Sequence, residues 1–230
     1  MSTAATSGRA MTPVGKFTPN LTAKALASTA ILAVAIAFVW KYVFRYYLNY
    51  NQSAFTDPNL GAPNYWNDRF WLLLHMSGGT IALLAGPWQF WTGFRSRYFR
   101  LHRATGLIFL TGVGLGCIGA YHMVMVTTFG WAFGFGILML ATAWFTTTAM
   151  AYYAILKRRI QVHKEWMVRA YVVTFAFVTF RLLNDYGPTS RVQPANDRAI
   201  TIAWACWALP LLVTEVILQL RKMRSATGSA

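Results

Sequence analysis

Residues 104–156 form a run of 53 positions without one Asp, Glu, Lys or Arg. A water-soluble fold carries about a quarter of its residues charged, so a run of this length has no place in one. A lipid bilayer, in contrast, requires it. One helical crossing takes about 20 apolar residues. The run is therefore two crossings, and Thr127, Thr128, Phe129 and Gly130 are the residues that divide it.

Similar segments flank it. Residues 25–44 form a first span, with Lys41 able to snorkel at its end. Residues 70–94 form a second with no formal charge. A fifth covers 164–184 with Arg169 and Arg181 inside it, and a sixth covers 199–220 with Glu215. The expected fold is an all-α, six-helix transmembrane bundle over residues 21–224. Short polar tails are expected at 1–20, flexible and cytoplasmic, and at 225–230. The first tail lacks the long apolar region of a secretory signal.

Charge supports this reading and orients it. The chain is 56% hydrophobic and 12% charged, with a net charge of +15. Those values exclude a disordered chain, a disulfide-stapled secreted module and an ordinary soluble enzyme. The basic residues do not form a nucleic-acid surface. They cluster between apolar runs, as at Arg95, Arg97, Arg100 and Arg103, at Lys157-Arg158-Arg159, and at Arg221, Lys222 and Arg224. The opposite ends hold only Lys41, Arg45, Arg69, Arg191 and Arg198. By the positive-inside rule both termini face the cytoplasm of a bacterial inner membrane, and the clusters meet anionic headgroups. Cys117 and Cys206 lie within apolar runs and read as packed thiols.

Polar groups inside a membrane are expensive and usually functional. All four histidines fall in spans or at their ends. His102 and His122 are 20 residues apart, roughly 30 Å along a helix, so they lie at opposite faces. By depth the four sort into an outer pair, His75 with His122, and an inner pair, His102 with His163. Facing imidazoles can ligate haem iron, which makes b-type haem the candidate cofactor and a quinone the other redox ligand. A porphyrin also needs small residues beside it. Span two offers Gly78, Gly79, Ala82, Gly86 and Gly93 on the face of His75 and Gln89, and span three offers Gly106, Gly112, Gly116 and Gly119. Glycine faces serve equally as close helix–helix contacts, and interfacial histidines beside Arg103 and Lys164 can simply meet phosphates. Arg169 and Glu215 share a depth and form an inner polar cluster with Gln89, either as a structural ion pair or as a substrate or proton site. Arg181 and Asp185, at i,i+4, can pair with each other. No metal site is expected.

Several of these residues recur as ordered motifs. They are His75 with Gly86-Pro87-Trp88-Gln89-Phe90, then Leu101-His102-Arg103-Ala104-Thr105-Gly106, then His163-Lys164-Glu165-Trp166-Met167-Val168-Arg169 with Thr179-Phe180-Arg181. Over about residues 70–182 this set resembles a bacterial family of predicted membrane proteins, domain of unknown function 2306. The resemblance implies family positions at His75, Gln89, His102, Arg103, Gly106, His163, Trp166, Met167, Arg169 and Arg181, and His122 lies off them. The chain also looks distantly like the di-haem transmembrane cytochromes b. Three functions stay open: electron transfer through haem or quinone, binding or transport of a lipid or anion by the inner His–Arg–Glu cluster, and a non-catalytic subunit of a larger membrane complex.

Overall fold

The computed structural model describes residues 21–55, 65–91, 97–192 and 194–227. The expected tail at 1–20, Arg95 with the end of the second span, and residues 228–230 lie outside them. Among the described residues the structure is helical, without strands. In chain order the helices are α1 (Leu21–Phe38), α2 (Phe44–Leu48), α3 (Arg69–Phe90), α4 (Phe99–Met125), α5 (Trp131–Leu156), α6 (Ile160–Thr174), α7 (Ala176–Asp185) and α8 (Ala195–Thr227). A π-helical turn, Val39–Val43, joins α1 to α2, and α6 runs into α7 through Phe175. They make six helices long and apolar enough to cross a membrane, including Ala25–Leu48 and Ile160–Asp185 as single spans. Helical spans are what a bilayer demands, since each backbone N–H and C=O must be satisfied within the segment.

The central packing is α3 against α4, with α5, α6 and α7 completing the core and α1 and α8 on the outside. The buried cluster draws Ala82 and Ala85 from α3, Phe109, Val113 and Cys117 from α4, Trp144 and Ala151 from α5, and Met167, Ala170 and Tyr171 from α6. Both cysteines are buried free thiols, as expected. Among the described residues, several of the glycines in spans two and three are close helix contacts. A Cβ at Gly78 would lie 2.3 Å from the backbone N of Gly116, and one at Gly119 would lie 2.6 Å from the backbone N of His75. Two further glycines face rings from other spans, Gly79 the ring of Phe177 and Gly86 that of Tyr171.

Pro87 explains the second of those contacts. Proline has no N–H to give the carbonyl of Leu83, four residues earlier. Tyr171 lies over Gly86 and donates its hydroxyl to that carbonyl at 3.1 Å. The Gly86-Pro87 motif is thus a socket for a tyrosine from another span. Trp144 makes the corresponding link between α5 and α6, donating Nε1–H to Thr174 Oγ1 at 2.8 Å.

Paired substitutions test the seam. Gly78→Ala should lower the melting temperature in detergent or prevent folding, because overpacking a rigid contact costs about 1–3 kcal/mol or more. Gly114→Ala, on the same helix system but with open space around its Cβ, should be neutral or stabilising by up to about 1 kcal/mol. Equal behaviour of the two variants would refute the backbone contact.

Candidate functional site

At the basic end of the bundle the predicted polar residues act as clasps. Gln89 donates Nε2–H to Thr105 Oγ1 at 2.6 Å and to the carbonyl of His102 at 3.3 Å, locking the end of α3 to the start of α4. His163 is anchored elsewhere, its Nδ1–H donated to the carbonyl of Ala151 on α5 at 2.8 Å. At His102 it is the backbone carbonyl, not the ring, that Gln89 holds, whereas at His163 it is the ring itself that is anchored. Arg169 donates Nε–H and Nη2–H to Glu215 at 2.8 and 2.5 Å, as the shared depth predicted. Glu165 lies 3.9 Å from the same guanidinium and 2.6 Å from Lys222, Gln219 caps Glu215 at 2.6 Å, and Trp166 stacks under Arg169. Two carboxylates on Arg169 neutralise it in place. This cluster, Gln89 apart, ties α6 to α8.

The opposite half of the bundle is different. Here the helices diverge around a cavity of about 270 Å³ to which all six spans contribute. Its wall is mostly apolar, with Phe38, Leu72, Leu83, Met123, Ile137, Trp144 and Phe177, and its polar groups are few: His75, Thr80, Thr127, Arg181, Tyr42, Tyr46 and Tyr65. Two helical irregularities adjoin it. The π-helical turn in the first span supplies Tyr42 and Val43. In the fifth span, Val178 N–H turns back to Phe175 at 3.0 Å, tightening the helix where Val173, Ala176 and Phe177 meet the cavity. Local departures of this kind frequently accompany functional sites.

His75 stands in the wall, with its ring stacked on Phe177 at 4.9 Å. Its Nδ1 lies 2.8 Å from the carbonyl of Gly116. A carbonyl only accepts, so Nδ1 carries the proton and Nε2 keeps its lone pair. His122, the expected depth partner, is engaged otherwise: its Nε2 lies 2.8 Å from Asp68 Oδ1 and its ring stacks on Trp71 at 4.5 Å. The pairing of Arg181 with Asp185 is not made. Asp185 accepts from Tyr42 at 2.5 Å and from Asn184 at 2.9 Å, while the Arg181 guanidinium lies 5.7 Å over the Tyr42 ring. Tyr65, outside the spans, is held neutral at the rim, since burial pushes its phenol up to about 12. Sequence reasoning missed Tyr42, Tyr65, Trp144 and Phe177 as wall residues. Only their aromatic character marked them, and lipid-facing belts have the same character.

The ion cluster gives a stability prediction. Glu215→Gln should cost about 1–2 kcal/mol, below the full cost of breaking a buried pair, because Glu165 still faces Arg169. Arg169→Gln, which strands Glu165 beside Lys222 alone, should cost at least as much. Unchanged melting of both variants would remove the cluster's structural role.

A family model described as Predicted membrane protein (DUF2306) matches residues 72–218. No curated protein and no solved structure matches the chain, so the likeness to di-haem cytochromes stays an expectation. The match runs from α3 into α8 and takes in most of the cavity wall and the clasps at the basic end apart from Gln219 and Lys222. On that extent the chain belongs to the DUF2306 family of predicted membrane proteins.

Proposed function

We propose that the protein binds a lipophilic small molecule in the six-span cavity, with His75 as its hydrogen-bonding contact. The observation that carries this reading is the cavity itself. An apolar enclosure with a few convergent polar groups is the usual form of a ligand site, and its volume lies just under the roughly 300–1,000 Å³ typical of such pockets. The motif residues support the same conclusion. Gly86, Pro87, Gln89 and Arg169 are absorbed by packing and clasps, whereas His75 and Arg181 line the cavity.

The His75 tautomer favours a quinone as the redox form of this reading, because the Nε2 lone pair accepts a hydrogen bond from a quinol hydroxyl. It is also the tautomer of an iron ligand. Haem is less well suited, since the volume favours a single ring over a porphyrin and His122 spends Nε2 on Asp68. For orientation, the basic clusters favour a cytoplasmic position for the Arg100 and Arg159 ends. Reporter fusions after each should read cytoplasmic, and a periplasmic signal at either would overturn that orientation.

Native mass spectrometry tests the binding. Protein released from mild detergent should carry a small-molecule adduct that Ala120→Phe, which places a ring in the cavity wall, abolishes without lowering the melting temperature. Decylubiquinone should displace that adduct if the ligand is a quinone. Oxidised and dithionite-reduced spectra should lack a haem α-band. An α-band lost in His75→Ala would replace the single-ring reading with haem.

A further inference from the structure

Among the described residues, Arg181 is a cation that lines the cavity without a carboxylate beside it. It sits in α7 four residues before the end of its span, and its guanidinium borders the apolar volume. Among the described residues no carboxylate lies within ion-pair distance of it. The nearest in sequence, Asp185, has its two oxygens occupied by Tyr42 and Asn184. The Arg181 guanidinium lies 5.7 Å over the Tyr42 ring. Other cations at this end are already engaged, Lys41 by Tyr186 and Arg69 by Tyr50 and the carbonyl of Trp66. Arg169, by contrast, shows what this fold does with an arginine whose role is structural: it brings two carboxylates to it.

A guanidinium beside an apolar cavity, in a span and without a counter-charge, is costly unless something else supplies the charge. We infer that the ligand is a single-chain anionic amphiphile whose carboxylate or phosphate head pairs with Arg181 and whose apolar chain lies along Phe177 and Trp144. This inference rests on the cavity being a ligand site; it replaces the quinone form with a charged, non-redox ligand held by Arg181, and the comparison of an acid with its amide decides between a charged and a neutral occupant. The planar guanidinium can meet either head group with two parallel N–H donors. Tyr65, a neutral phenol at the same rim, can add a third donor.

The test uses full-length protein in phosphatidylcholine nanodiscs and dansyl-labelled undecanoic acid as the probe, with its primary amide as the uncharged twin. The acid should bind saturably, and the amide at least about tenfold more weakly, as the loss of a charge-assisted hydrogen bond implies. Arg181→Gln should reduce the acid to the level of the amide, and Arg181→Lys should restore part of the difference. Laurate and dodecyl phosphate, used as competitors, should displace the probe where dodecanol does not, and their relative strength assigns the head group. Equal binding of acid and amide to the wild type would overturn the inference while leaving a lipophilic site in place. Binding of neither would overturn the site as well. Should Arg181→Gln fail to fold, the acid–amide comparison on the wild type still decides.

Discussion

The contact on which the architecture depends is the approach of α3 to α4 at backbone distance. In lipid no hydrophobic force draws helices together, so van der Waals contact and interhelical hydrogen bonds must do it. Gly78, Gly112, Gly116 and Gly119 permit that contact because none carries a Cβ. The same closeness brings the His75 ring to the Gly116 carbonyl, and this fixes its tautomer. One steric fact therefore sets both the packing of the central helices and the chemistry that His75 presents.

From that seam the two halves of the bundle diverge in character. At the basic end, side chains tie the helices together: Tyr171 covers Gly86 and satisfies the carbonyl that Pro87 orphans, Gln89 grips α4, and the Arg169 network draws α8 in. At the other end a π-helical turn and a tightened turn at Phe175 interrupt two spans, and the helices enclose space instead of filling it. Well-packed interiors leave few voids larger than a water molecule. The half-open, mostly apolar cavity of about 270 Å³ lies beside the rigid seam, at the end where these two irregular turns interrupt their spans.

Much of this was legible in the sequence, for reasons that can be named. Apolar length placed the six spans, although the fifth begins four residues earlier, at Ile160, and is broken at Phe175, which hydropathy cannot register. Shared depth identified Arg169 with Glu215, because two opposite charges at one level of a membrane have few other partners. Depth carries no azimuth, so it could not tell that His122 would meet Asp68 or that His163 would turn to Ala151. The i,i+4 rule failed at Arg181 and Asp185 because Tyr42, from another span, offers Asp185 a donor that local spacing cannot reveal. The cavity was invisible for the same reason, being assembled from all six spans with only a few residues from each.

The central claim is that the space between His75 and Arg181 exists to hold a ligand. A side-chain-resolution density map of the protein in lipid nanodiscs, purified without added ligand, addresses it most directly. The account predicts elongated non-protein density along Trp144 and Phe177, within reach of His75 Nε2 and ending at the Arg181 guanidinium. Phe177 and neighbouring rings collapsed into the volume, or a cavity without density, would contradict it.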